Sequence, residues 1–218
     1  MRKIKDYSLY LVITEECCLG RDPLEIARRA IAGGVDIIQM REKNRPRAEL
    51  VALGKRFAKL CKASGVTFIV NDDPMLSLEV NADGVHLGQE DITRFSIRTA
   101  RDIVGPERMI GISTDSLAQF EKANVEDADY IAFGPIFPTT VKNYSVGTAS
   151  IKTVLAVARR PVFFIGGINF STLPVALAEG VRNIALIRAI AEADDVTAAT
   201  KRFKDDLGKQ KETSLSQA

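Results

Sequence analysis

TFIVNDDPMLSLEVNADGVHLG, residues 67–88, carries a strand, a helix and a second strand in one short span. TFIV is an unbroken β-branched and aromatic run, which suits a strand covered on both faces. Asp73-Pro74 opens a helix, because an Asp side chain accepts free N–H groups of the first turn and Pro lacks the N–H that would go unpaired there. GVHLG restarts as a strand after Asn81-Ala82-Asp83. Strands joined through a helix lie parallel, so the segment is one βαβ unit.

The same alternation runs outward in both directions. Candidate strands are YSLYLVI from Tyr7, DIIQMRE from Asp36, TFIVND from Thr67, GVHLG from Gly84, MIGIST from Met109, YIAFGPI from Tyr130, PVFFIGG from Pro161 and NIALIRA from Asn183, the last leading into one final helix. Asp22-Pro23 opens and Gly33-Gly34 closes DPLEIARRAIAGG, while Gly65 and Gly105 end two further helices. In LVALGKRFAKLCKASG, Leu50, Leu53, Phe57, Leu60 and Cys61 share one helical face, the stripe needed to lie on a barrel wall. Eight units predict an α/β protein, a single (β/α)8 TIM barrel over residues 1–207. The polar tail GKQKETSLSQA, residues 208–218, has no apolar period and is expected to be disordered.

Bulk properties narrow the function. At 218 residues, 46% hydrophobic and 27% charged, the chain can build one sizeable core. Its 30 basic and 28 acidic residues leave a charge of +2 with no basic stripe, which argues against nucleic acid as a partner. Cys17, Cys18 and Cys61 form neither an even set nor a CxxC pair, which suits a reducing cytoplasm rather than zinc or structural disulfides. MRKIKDYSLYLVI is read as strand rather than signal peptide, and no segment approaches the roughly 20 apolar residues that span a bilayer, so no membrane partner is expected.

In such a barrel, chemistry gathers at the C-terminal ends of the strands. There Gln39, Arg41 and Lys43 alternate along one face of QMREK, Asn71-Asp72-Asp73 ends the third strand, and Gly88-Gln89-Glu90-Asp91 follows the fourth. Ser113-Thr114-Asp115-Ser116 ends the fifth, Thr139, Thr140 and Lys142 lie beyond the sixth, and Gly166-Gly167-Ile168-Asn169 closes the seventh. Cations facing hard oxygen donors indicate a phosphate and magnesium site, because magnesium takes one or two carboxylates and leaves its other positions to phosphate oxygens and water. Gly166-Gly167 before a helix lets backbone N–H groups approach an anion. Plainer readings stand beside these. Asp73 is an N-cap, Asp91 can cap the next helix, a solvated strand end accounts for Arg41 or Lys43 singly, and a glycine pair can be only a turn. His86, the sole histidine, sits in an apolar strand and reads as a packed core residue. Neither GxSxG nor GxGxxG occurs, which removes a hydrolase elbow and a dinucleotide fingerprint.

Taken in order at successive strand ends, QMREK, VNDDPMLSLEVNADGVHLGQED, IGIST, ADYIAFGPIFPTTVK and FFIGGIN closely resemble the thiamine-phosphate synthase family, from about Tyr7 to about Phe203, within the superfamily that also holds the thiazole tautomerases. The resemblance implies a magnesium-dependent transferase that condenses hydroxymethylpyrimidine diphosphate with thiazole phosphate by a dissociative route, giving thiamine phosphate and pyrophosphate. It implies that Gln39 contacts the pyrimidine, that Arg41, Lys43, Asn71 and Lys142 hold the diphosphate, and that Asp72 and Asp91 hold Mg2+. Ser113 would sit beside diphosphate and pyrimidine, Thr139 would approach the thiazole, and the Gly167 backbone would receive its phosphate. The catalytic weight falls on Arg41, Lys43, Ser113 and Lys142. Pairing through outer helices into a homodimer is a further expectation.

Three positions depart from the family pattern. PTTVK puts Val141 in place of a threonine hydroxyl, the NYSVG loop is shorter than usual, and LIRAI puts Arg188 where a serine is usual. An arginine there can bind a phosphate or fill the pocket. Two alternatives therefore stay open: a thiazole tautomerase-like isomerase, which would need a proton-transferring histidine where Asp115 stands, and a non-catalytic paralogue that binds a phosphorylated metabolite.

Overall fold

The computed structural model describes residues 4, 7–139 and 144–215, with side chains up to residue 209. Strands β1 (Leu9–Ile13), β2 (Ile37–Met40), β3 (Thr67–Asn71), β4 (Gly84–Leu87), β5 (Met109–Thr114), β6 (Tyr130–Phe133), β7 (Val162–Ile165) and β8 (Ile184–Leu186) run parallel and close in chain order. Closure places Leu9 opposite Ile184 and Leu11 opposite Leu186. Every candidate strand segment holds a strand, each shorter than the run read from the sequence, because the chain leaves the wall at the strand ends to form its loops.

A parallel neighbour can be reached only by returning to the far end of the barrel, so a helix follows every strand. These are α1 (Pro23–Ala32), α2 (Arg47–Ser64), α3 (Pro74–Glu79), α4 (Gln89–Arg94), α5 (Ile97–Val104), α6 (Leu117–Ala123), α7 (Ala149–Val157), α8 (Leu173–Ala178), α9 (Arg188–Ala191) and α10 (Val196–Leu215). Asp22 caps α1 by accepting the Leu24 N–H at 3.0 Å, and Asp73 caps α3 by accepting that of Leu76 at 2.8 Å. Gly65 ends α2 in the left-handed region at φ 66°. On α2, Leu53, Phe57 and Cys61 are buried against the wall, with Leu50 and Leu60 partly covered.

The sequence reading differs from the structure at the C-terminal end. Strand β8 leads into two helices rather than one, and helical backbone continues past Gly208 to Leu215, where disorder is expected. Lys, Gln and Glu are good helix formers, and they extend a helix already packed against α1. Among the described residues no helix is long and apolar enough to cross a membrane.

Strand periodicity divides the core in two. One layer lies between wall and helices and includes Leu11, Ile38, Val70 and Phe133; the other fills the lumen with Tyr10, Val12, Ile37, Ile69, Met109, Tyr130, Phe163 and Ala185. At the N-terminal face an acidic residue precedes each of three even-numbered strands. Asp36 donates its N–H to the Leu9 carbonyl at 3.0 Å and accepts the Leu9 N–H at 2.9 Å. Asp83 does the same to Phe68, at 2.9 and 2.8 Å, and Asp129 to Ile110, at 2.8 and 2.7 Å. Each closes a ring that bolts an even strand to the odd strand before it. Asn183 holds the fourth such position, its amide nitrogen donating to the Tyr7 carbonyl at 2.8 Å.

Candidate active site

Strand β2 carries Gln39 into the lumen, where it is buried. Arg41 follows, half-buried, its N–H held by the Ile13 carbonyl at 2.9 Å. Glu42 turns away and accepts the Glu15 N–H at 2.7 Å, so the expected alternation continues past the strand. The exposed Lys43 brings its Nζ to 3.9 Å from Asp72 Oδ2.

Asp72 sits at the end of β3 with φ +67°, a left-handed backbone that Asp tolerates better than most residues. Its N–H donates to the His86 carbonyl at 2.8 Å, which ties it to β4. Burial, then a hydrogen bond to Asp91 and the Asp91 charge, hold the Asp72 carboxyl well above the usual carboxylate range, while Lys43 and Arg41 pull it down. Two carboxylates this close share a proton or a cation. Among the described residues no group of three or more His, Cys, Asp or Glu surrounds a point. Two acidic oxygen donors beside cations are nevertheless what magnesium takes when phosphate supplies the rest. Asp91 also accepts the Gly88 N–H at 3.0 Å, so it caps its helix while facing Asp72. Asn71, next to Asp72, ends β3 half-buried, in register with His86.

Ser113, near the end of β5, is held twice. Its Oγ lies 2.8 Å from His86 Nε2, and its carbonyl accepts from Gln89 Nε2 at 2.5 Å. His86 is buried, as its apolar strand predicts, but both ring nitrogens are hydrogen-bonded, Nδ1 to the Tyr130 hydroxyl at 3.1 Å. Burial pushes its pKa down to about 4, so the ring is neutral near pH 7.

Beyond β6 the chain folds over the end of β7, with Ile136 N–H on the Ile165 carbonyl at 2.9 Å and Phe137 N–H on that of Gly166 at 3.1 Å. Thr139 is half-buried at the edge of this segment, and the predicted Thr140, Val141 and Lys142 lie outside the described residues. Gly167 has φ +66°, and a Cβ there would fall 2.6 Å from both Phe137 Cβ and the Pro138 carbonyl oxygen. Glycine is thus required for close approach of the β6 loop, whatever the backbone also binds. Arg188 opens α9, half-exposed, with Nη1 2.7 Å from Glu192 Oε1. It is ion-paired along its own helix.

Sequence reasoning passed over Tyr10 and Tyr130, whose hydroxyls lie 2.9 Å apart inside the barrel. The available signal was a phenol in each of two lumen strands, since a buried phenol needs a partner.

Comparison with known proteins agrees with the motif order. The family model for thiamine monophosphate synthase matches residues 9–190. A thiamine-phosphate synthase from Moorella thermoacetica is 39% identical over 202 residues, 91% of this chain and 95% of that one. One from Persephonella marina is 38% identical over 202 residues, 92% of this chain and 95% of its own. The solved thiamine phosphate pyrophosphorylase from Pyrococcus furiosus superposes with a TM-score of 0.85 at 33% identity, covering 94% of this chain and 96% of that structure. With the likeness running almost end to end through every strand-end motif, this chain belongs to the thiamine monophosphate synthase family.

Proposed function

We propose that the barrel joins hydroxymethylpyrimidine diphosphate to thiazole phosphate, releasing pyrophosphate and forming thiamine phosphate. The observation that carries this reading is the meeting of cations and carboxylates at the ends of β2 and β3 and after β4, where Lys43 Nζ lies 3.9 Å from Asp72 Oδ2 and the Asp91 charge acts on the Asp72 carboxyl. A departing diphosphate needs its growing negative charge met by groups already in place, more than it needs a general base. Arg41, Lys43, Asn71 and Lys142 hold that group, and Gln39 and Ser113 orient the pyrimidine end. Asp72 and Asp91 are the residues that would hold magnesium, which would supply further neutralisation of the leaving pyrophosphate.

The thiazole nitrogen is already a nucleophile, so the residues at its end position it and keep water out. Thr139 and the Gly167 backbone serve there, with Arg188 directed to the phosphate. Three buried free cysteines support a reducing, cytoplasmic setting. A homodimer through the outer helices is supported by exposed Leu155 and Val157 on α7 and Val175 on α8.

Purified protein given both phosphorylated substrates and magnesium is expected to yield thiamine phosphate and pyrophosphate in equal amounts. Conversion of the thiazole tautomer without thiamine phosphate would make the chain an isomerase. A phosphorylated ligand that raises the melting temperature with neither reaction would make it a binding protein.

A further inference from the structure

A continuous line of hydrogen bonds crosses the lumen beneath the site. Gln39 Nε2 donates to the Tyr10 hydroxyl at 2.6 Å, Tyr10 and Tyr130 hydroxyls lie 2.9 Å apart, Tyr130 lies 3.1 Å from His86 Nδ1, and His86 Nε2 lies 2.8 Å from Ser113 Oγ. Tyr10, Gln39, His86 and Tyr130 are all buried. Its two ends, Gln39 and Ser113, are both assigned to the pyrimidine end of the site.

The line has a direction. An amide nitrogen can only donate, so the Tyr10 oxygen accepts from Gln39. A phenol has one proton, and among the described residues Tyr130 is the other partner of the Tyr10 hydroxyl. Tyr10 therefore donates to Tyr130, and Tyr130 to Nδ1. A neutral imidazole that accepts at Nδ1 carries its proton on Nε2 and donates it to Ser113 Oγ. Ser113 is then left with its own O–H to direct at the substrate. In the reverse order Tyr10 would accept twice and bury an unpaired proton, a costly arrangement.

The barrel makes room for this line. Gly111, opposite Tyr130 in the β5–β6 register, would place a Cβ 2.1 Å from Tyr130 Cζ and 2.4 Å from its hydroxyl, so only glycine admits the phenol. The His86 and Tyr130 rings stack with centroids 5.5 Å apart. Gln89 fixes the Ser113 backbone from the other side.

We propose that His86 is a positioning residue, held by Tyr10 and Tyr130 as the Nε2–H tautomer so that Ser113 presents a hydroxyl donor to the diphosphate-bearing substrate. The inference rests on the synthase reading of the site for its kinetic part, and on the hydrogen bonds alone for its structural part. No proton is transferred; the line sets which atom of Ser113 faces the ligand.

Because the chain has one histidine, nitrogen-15 labelling of histidine in the full chain without a histidine tag gives one pair of ring resonances. A bare Nδ1 and a protonated Nε2 at neutral pH are expected; the opposite tautomer or an imidazolium overturns the proposal, and this readout needs no substrate. Kinetically, Tyr130→Phe should lower kcat about tenfold with little change in KM and should mix the tautomers. His86→Gln, whose amide nitrogen reaches the Nε2 position, should recover most of the turnover that His86→Asn loses. Equal losses in the Gln and Asn variants, or a Tyr130→Phe protein with unchanged tautomer and kcat, would reduce the line to packing. A wild-type protein that forms no thiamine phosphate would refute the synthase reading, with the tautomer still deciding the structural part.

Discussion

Asp72 is held in a left-handed conformation, half-buried, with its carboxyl against that of Asp91. A carboxyl raised by burial and a neighbouring carboxylate binds a proton more tightly folded than unfolded. Its ionised form therefore costs stability, and the cost grows as pH rises above the unfolded value and through the raised one. Asp72→Asn keeps the backbone preference and removes the charge. At neutral pH its melting temperature should equal or exceed that of the wild type without added metal, the difference shrinking towards pH 4, while thiamine phosphate formation falls on the order of 100-fold. A clear loss of stability at pH 8 would refute this reading of the pair. Arg188→Ser tests the departure at β8: with Arg188 directed to the phosphate, KM for thiazole phosphate should rise in the variant, and a fall would show that the arginine, paired with Glu192, obstructs the pocket. That Lys43 and Asp72 meet at the strand ends was legible because charged side chains at the ends of apolar strands have few structural reasons to be there. The tyrosine line was not, because phenols inside apolar runs read as core and its partners lie as far apart as Tyr10 and Tyr130.

At the scale of elements, strand identity followed from burial on both faces, and helix starts from Asp-Pro pairs, as α1 and α3 show. Strand ends were harder, because YIAFGPI is apolar beyond Phe133 while its last residues cross over β7 instead of joining the ladder. Asp73 shows two readings in adjacent residues: it caps α3 and pairs with Arg47 at 2.5 Å, while Asp72 faces the site. Asp73→Ala should lower the unfolding free energy by about 1 kcal/mol, read from the urea midpoint, with thiamine phosphate formation retained. An activity loss matching that of Asp72→Asn would move Asp73 into the site.

Across the whole molecule, stability and chemistry lie at opposite ends of the barrel. Asp36 binds the N–H groups of Ser8 and Leu9 and also Lys204 of α10, with its side chain 13% exposed. Asp36→Ala leaves those donors and a lysine uncompensated and should cost roughly 3 kcal/mol in urea, with KM for both substrates unchanged. Surface pairs such as Arg28–Glu25 should leave the urea midpoint essentially where it is, because solvent screens both charges. These aspartates escaped the sequence reading because a single acid before an apolar run looks like the end of a loop. Their side-chain rings close within β1–β2, β3–β4 and β5–β6, while across Gly105-Pro106 the ties are the non-covalent ones of Arg101 to the Gly105 and Arg108 carbonyls at 3.2 and 2.6 Å and to Asp129, which a break in the chain there leaves in place. Lys204, meanwhile, lies against Ser8 just before β1. A circularly permuted chain, linked from α10 to β1 and reopened at Gly105-Pro106, should therefore fold and keep its activity, whereas reopening at Asn81-Ala82, beside Asp83, should fold poorly. The order in which this ring of paired modules is read along the gene is then a matter of indifference to the barrel.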